Sequence, residues 1–188
     1  MMRLTDQAHA LIAQVFQPGE TAVDATAGNG HDTRFLCRLA GQSGKVFAID
    51  IQQQALDQTA AMLQNCEYYN FELICDDHRL LAGLIPPEHR DRIRTVMFNL
   101  GYLPGGDHSK ITQETSTLSA IEAALALIRP GGIITILAYP GHSGGAAETS
   151  AVAALLDQLD NTQFKTQLIH SQSESTKAPR LFAVTRLK

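Results

Sequence analysis

The chain has 188 residues, of which 44% are hydrophobic and 18% are charged, and its formal net charge is −4. This composition excludes a disordered tail and a globally basic nucleic-acid binder, although a local basic patch would still suffice for RNA. The length is enough for one substantial core, so we expect a single domain over 1–188.

Strands and helices are predicted to alternate along the first half of the chain. Apolar residues recur at helical spacing in 6–16, and Thr5 or Asp6 would cap that helix. The elements that follow are a strand at 21–26, a helix at 31–40, a strand at 45–50, a helix at 52–65 and a strand at 69–75. Residues 77–93 are predicted to be loose and partly helical, because Pro86-Pro87 interrupts them.

The alternation continues in the second half. The predicted elements are a strand at 94–100, a helix at 112–129, a strand at 133–139, a helix at 147–159 and strands at 162–170 and 180–187. The early strands are apolar throughout, which predicts a mostly parallel sheet with helices on both faces. The last two strands leave no room for a helix between them, so we expect them to pair as a hairpin.

The segment VDATAGNGHDT joins the first strand to the next helix. Asp24 ends the strand, and Gly28 and Gly30 make the turn. A glycine-rich turn between a strand and a helix is typical of nucleotide sites, because the backbone can approach a ligand and the helix presents free N–H groups. Thr33 stands where a dinucleotide fingerprint needs its third glycine, which disfavours that class of site.

This spacing resembles the first motif of class I S-adenosylmethionine (SAM) methyltransferases, acidic-x-Gly-x-Gly-x-Gly, with Thr26 in place of the first glycine. The resemblance implies a Rossmann-like α/β fold with a seven-stranded, mostly parallel sheet whose last strand is antiparallel. Asp24 would lie near the methionyl ammonium of the cofactor. Asp50, at the end of the second strand, would accept hydrogen bonds from the ribose hydroxyls. The alternative is that Asp24 and Asp50 only cap helices.

The third strand ends in Asp76-Asp77-His78, where folds of this class hold the adenine ring. Either aspartate could accept a hydrogen bond from the exocyclic amine. The further cofactor-binding residues that the resemblance implies are Thr26, Gly28, Asn29, Gly30, Asp32, Thr33, Ile51, His78 and Asn99.

A second loop, FNLGYLPGGDHSK, follows the fourth strand at the same edge of the sheet. Asn99 and Tyr102 have the Asn-x-x-Tyr spacing of amino-group methyltransferases. An amide oxygen can accept an N–H from an amine, and an aromatic ring can stack on a base. The alternative is an ordinary turn with Tyr102 packed on the surface.

Three motifs together extend the resemblance over nearly the whole chain. DATAGNGHDTRFL, FNLGYLPGGDHSKIT and YPGHSGG resemble the putative rRNA methylase family, whose better-understood members are MnmM-type tRNA methyltransferases. That resemblance implies methylation of the aminomethyl group on the wobble uridine, with the anticodon region of tRNA as partner. The residues that would face the transferred methyl are Asn99, Tyr102, Asp107 and His108. The residues that would contact RNA are Tyr102, Lys110 and His142.

Several alternatives remain open at this point. Asp107 or His108 is the candidate for keeping the amine uncharged. The acceptor could instead be rRNA or a small amine, or the chain could be a non-catalytic nucleotide-binding module. Histidines follow several strand ends, but no His-x-His pair supports a metal, and we predict none. His9 is interpreted as an ordinary helix residue.

The cellular setting is predicted from composition alone. No run of about 18 apolar residues occurs, which predicts that the chain spans no membrane. The three cysteines are far apart, which indicates reduced thiols and a cytoplasmic protein. A homodimer is a further hypothesis.

Overall fold

The structure is a computed structural model that describes residues 2–101, 112–171, 173 and 175–188. The helices are α1 (Leu4–Val15), α2 (His31–Ala40), α3 (Gln53–Asn65), α4 (Leu81–Leu84), α5 (Pro87–Arg90), α6 (Glu114–Leu127) and α7 (Gly145–Asp157). The strands are β1 (Thr21–Asp24), β2 (Lys45–Asp50), β3 (Phe71–Cys75), β4 (Ile93–Asn99), β5 (Ile133–Ala138), β6 (Phe164–His170) and β7 (Arg180–Arg186). A 3₁₀ turn, His78–Leu80, precedes α4.

The strands form one sheet in the order β3-β2-β1-β4-β5-β7-β6. Neighbouring strands from β3 to β5 run parallel, whereas β7 is antiparallel to both β5 and β6. The predicted sheet and its closing hairpin are therefore confirmed. Strand order reverses between β1 and β4, and such a reversal opens a crevice at the carboxyl ends of the two strands.

The core has one layer on each side of the sheet. Successive residues of a strand point to opposite faces, so Ala22 of β1 joins one layer and Val23 joins the other. The first layer includes Ile12, Leu36 and Leu63 from α1, α2 and α3, and the second includes Leu81, Ile121 and Val152 from α4, α6 and α7. Because both faces are covered, most residues of the central strands β1, β4 and β5 are buried.

One local prediction is wrong. The first helix begins at Leu4 and its cap position is Arg3, because the Asp6 carboxylate accepts a hydrogen bond from the Arg3 backbone N–H (3.3 Å) from within the first turn. The segment 77–93 is partly helical, as predicted: α4 ends before Pro86, and Pro87 begins α5. The fixed backbone angle of proline suits the first turn of a helix, where its missing N–H costs nothing.

Other differences are confined to element ends. β3 begins at Phe71 and β1 ends at Asp24, each two residues inside the predicted bounds of 69–75 and 21–26. Among the described residues, no helix combines the length and the apolar character needed to cross a membrane.

Candidate functional site

A cleft of about 830 Å³ opens at the carboxyl edge of the sheet, above the ends of β1, β2 and β4. The predicted site residues that line it are Thr26, Gly28, Asn29, Asp32, Asp50, Ile51, Asp76, Asp77, His78, Asn99 and His142. Asp24, Gly30 and Thr33 lie behind this lining. The predicted residues Tyr102, Asp107, His108 and Lys110 lie outside the described residues.

The first loop, between β1 and α2, needs glycine for two reasons. Gly28 and Gly30 have φ angles of 50° and 78°, which side chains rarely adopt. A Cβ on Gly30 would also lie 2.7 Å from the Thr59 hydroxyl oxygen of α3. The same hydroxyl donates a hydrogen bond to the Gly28 carbonyl (3.1 Å), so α3 packs directly against this turn.

The Asp50 carboxylate joins the end of β2 to the first loop. One oxygen accepts from the Gly28 backbone N–H and the other accepts from the Gln52 backbone N–H, both at 2.9 Å. A carboxylate offers about four acceptor positions, so each oxygen can still accept a further hydrogen bond from a ligand. Asp50 therefore both shapes the loop and presents acceptors to the cleft.

Asp24 lies below the residues that line the cleft. Its carboxylate is fully buried and accepts hydrogen bonds from the Thr33 hydroxyl (2.6 Å) and the Thr26 backbone N–H (3.2 Å). Burial, and then the nearby charge of Asp32, raise the pKa of Asp24 to about 7. The structure thus places Asp24 beneath the first loop, and a contact with a methionyl ammonium stays a prediction.

Asn99 connects the two loops. Its backbone N–H donates to the Thr26 hydroxyl (2.7 Å), and its side-chain amide donates to Asp32 (3.4 Å). The other oxygen of Asp32 lies 2.7 Å from Nε2 of His9, whose ring stacks on Phe35 with centroids 3.8 Å apart. Elements α1, α2 and β4 thus meet at the floor of the cleft through polar contacts.

The residues after β3 offer several hydrogen-bond acceptors. Asp77 caps the 3₁₀ turn by accepting from the Arg79 backbone N–H (2.9 Å). His78 is buried, and burial lowers its pKa. Its Nδ1 lies 3.3 Å from the Ala25 carbonyl, which can only accept, so Nδ1 carries the proton and Nε2 of the neutral ring is an acceptor. In the described part of the chain Nε2 has no hydrogen-bond partner.

The ends of the second loop are held together. Gly101 donates from its backbone N–H to the Thr112 hydroxyl, and the Thr112 N–H donates to the Gly101 carbonyl, both at 2.9 Å. The buried Glu148 carboxylate accepts from the hydroxyls of Thr112 (2.9 Å) and Thr117 (2.6 Å). These bonds fix where the second loop leaves and rejoins the fold.

The sequence analysis missed several residues of the site. His9 and Glu148 lie on helices far from both motifs, and nothing in their local sequence marks them. Tyr139 follows β5 and lines the cleft, and burial, followed by the charge of Asp32, raises its pKa. The position of Tyr139 directly after an apolar strand could have identified it as a candidate site residue. The cationic side chain of Arg79, which was also missed, lines the cleft together with that of Lys177.

The chain matches known proteins over most of its length. The model of the family described as "Putative rRNA methylase" matches residues 46–185. A curated relative, the chloroplastic tRNA (mnm(5)s(2)U34)-methyltransferase of Arabidopsis thaliana, is 39% identical over 163 residues, which cover 81% of this chain. The match covers only 58% of that relative's own length.

Two solved structures are also similar. A putative rRNA methylase from Clostridium thermocellum has a TM-score of 0.93 and 35% identity, covering 100% of this chain and 99% of its own. A putative methyltransferase from Streptococcus mutans in complex with SAH has a TM-score of 0.87 and 34% identity, with the same coverage. With the family model matching well over half of its length, this chain belongs to the putative rRNA methylase family.

Proposed function

We propose that this protein is a SAM-dependent N-methyltransferase that modifies the aminomethyl group of the wobble uridine in tRNA. Membership of the putative rRNA methylase family supports RNA as the substrate class. The name of the Arabidopsis relative supports the wobble uridine, and the SAH bound to the Streptococcus mutans protein supports the cofactor.

The residues of the cleft fit this cofactor. Asp50 retains acceptor positions for two ribose hydroxyls. The buried Nε2 of His78 has no hydrogen-bond donor among the described residues, and the adenine amine could supply one. Asp76 and Asp77 add carboxylates beside it. The glycine turn leaves room for the methionyl part, and the cleft has space for a nucleotide as well.

The observation that carries the proposal is the position of Asn99. The side-chain N–H₂ of Asn99 donates a hydrogen bond to Asp32, so its side-chain carbonyl oxygen is left to face the cleft. That oxygen can accept an N–H from an amine and aim the nitrogen lone pair. When bound, SAM supplies a methyl group whose bond to sulfur breaks, with its electron pair staying on sulfur, as the bond to nitrogen forms.

The amine must reach this step without its extra proton, since an ammonium has no lone pair. Asp107 or His108 is the predicted group that accepts that proton. Tyr102, Lys110 and His142 remain the predicted RNA contacts, and Arg79 and Lys177 add positive charge along the cleft. The single domain over 1–188, the homodimer and the cytoplasmic location also remain predictions.

The test is transfer of labelled methyl from SAM to tRNA from cells that lack this methylation, followed by nucleoside analysis. We expect label in 5-methylaminomethyl-2-thiouridine, and no label in tRNA that already carries the methyl group. Transfer to rRNA, or to a free amine without RNA, would overturn the proposed acceptor. Tight SAM binding without transfer to any RNA would indicate a binding module.

A further inference from the structure

The hydrogen-bonded side chains at and beneath Asn99 belong to three elements that are distant in sequence. His9 is on α1, Asp32 is on the first turn of α2, and Asn99 ends β4. Nε2 of His9 lies 2.7 Å from one Asp32 oxygen, and the other Asp32 oxygen accepts from the Asn99 amide at 3.4 Å.

The chemistry of these groups sets the direction of every hydrogen bond. An ionised carboxylate can only accept, so Nε2 of His9 donates to Asp32, and the amide N–H₂ end of Asn99 also donates to it. The carbonyl oxygen of Asn99 must therefore point away from Asp32. An asparagine without such a partner could present either end of its amide, and only one end can accept an amine N–H.

Packing holds the His9 ring in place. The ring stacks on Phe35 with an interplanar angle of 5°, and the Asp32 side chain is largely buried beside it. The backbone of Asn99 is held separately by its 2.7 Å bond to Thr26. The position of the Asn99 side chain is thus fixed at the backbone by the first loop and at the amide by Asp32.

We infer that Asp32 and His9 are positioning residues: Asp32 selects the rotamer and amide orientation of Asn99, and His9 holds Asp32 in place to do so. The inference rests on the proposed function, in which the Asn99 oxygen orients the acceptor amine. Neither residue needs to contact the cofactor or the RNA for this role. The earlier prediction that Asp32 binds the cofactor is a competing account that the test separates.

The first measurement uses the ligand-free protein and does not depend on activity. The side-chain amide signals of Asn99 in a ¹H–¹⁵N spectrum are identified by their loss in Asn99→Ala. His9→Phe keeps the stacking on Phe35 and removes the donor, so these signals should shift. His9→Gln returns a donor near the Nε2 position and should restore them. His89→Phe is the matched control: His89 is on the distant helix α5 and its ring contacts Phe47 of β2, so this substitution should leave the Asn99 signals unchanged.

The second measurement is single-turnover methyl transfer to tRNA that carries the unmethylated aminomethyl group. We expect His9→Phe to lower the rate at least about threefold and Asp32→Ala to lower it further, with His9→Gln close to wild type. SAM affinity measured by calorimetry should stay within about twofold. In the Asn99→Ala background both substitutions should have no further effect, because residues that act only through Asn99 cannot add to its loss.

The outcomes separate the two proposals. Unmoved Asn99 signals in His9→Phe, or equal rate losses with and without Asn99, would overturn the positioning role. A fall in SAM affinity with Asp32→Ala, in place of a fall in rate, would assign Asp32 to the cofactor and would also overturn it. If the Asn99 signals shift in His9→Phe but the wild-type protein methylates no RNA, the proposed function is refuted and the contacts of Asn99 with Asp32 and His9 still stand.

Discussion

Asp24 makes the stability of this protein depend on pH in an unusual direction. Its pKa is about 7 in the fold, against about 3.9 for an aspartate in an unfolded chain. The folded state therefore holds this proton more tightly than the unfolded state does. The contribution of Asp24 to stability is complete below pH 4, declines as the pH rises above 4, and is lost once the pH has passed 7.

The magnitude follows from the two pKa values. A difference of about three in pKa corresponds to about 4 kcal/mol, most of which is lost between pH 5 and pH 8.5. Asp24→Asn imitates the protonated acid, because its amide N–H₂ can donate to the Thr33 hydroxyl while its carbonyl accepts from the Thr26 N–H. This substitution should therefore stabilise the protein relative to wild type by about 3 kcal/mol more at pH 8.5 than at pH 5.

The assay is urea unfolding of both proteins at four pH values between 5 and 8.5. Asp160→Asn is the control, because Asp160 is exposed and hydrogen bonds from Thr162 lower its pKa, so its effect changes only in more acidic solution. A stability difference between Asp24→Asn and wild type that stays constant across this range would refute the reasoning. It would mean that Asp24 remains ionised in the fold at pH 5.

Further substitutions test the site itself. Asp50→Ala should lower SAM affinity at least about tenfold by calorimetry, since charge-assisted hydrogen bonds are worth about 1.5–3 kcal/mol each; unchanged affinity would exclude the ribose contact. Asn99→Ala should lower the single-turnover rate and leave SAM affinity unchanged, and a wild-type rate would make the second loop purely structural. Tyr102→Ala should mainly weaken tRNA binding, because stacking on a base is worth about 1–3 kcal/mol; unchanged binding would exclude it. Lys110→Ala should flatten the salt dependence of tRNA binding, and an unaltered slope would exclude a phosphate contact there.

The layered fold was predictable because its signals are local. Apolar runs such as KVFAID at 45–50 are long enough for a buried strand and too short for a buried helix, and the structure has β2 at those residues. The short segment between 170 and 180 leaves no room for a helix, which predicted the hairpin of β6 and β7. Each of these inferences needs only the residues of one segment.

The network of side-chain contacts was not predictable in this way. Asp24 and Asp50 look equivalent in sequence, since each ends a strand, yet one is fully buried and the other lines the cleft. The difference comes from α2, whose Thr33 hydroxyl covers the first carboxylate. His9 gives no signal at all, because its partner Asp32 is 23 residues away and the two meet only when α1 and α2 pack on the same face of the sheet.

The arrangement of charge in the cleft is compatible with an acidic chain that has the proposed RNA substrate. Asp32 and Asp50 are each bonded to groups that shape the two loops, so their negative charge lies at the floor of the cleft. On the proposed reaction, positive charge arrives at the acceptor nitrogen as the methyl group is transferred. A carboxylate beside Asn99 favours charge at that point, whereas phosphates need only cations such as Arg79 and Lys177 along the same cleft. A net charge of −4 therefore does not argue against the proposed substrate, because the acids and the cations would contact different parts of it.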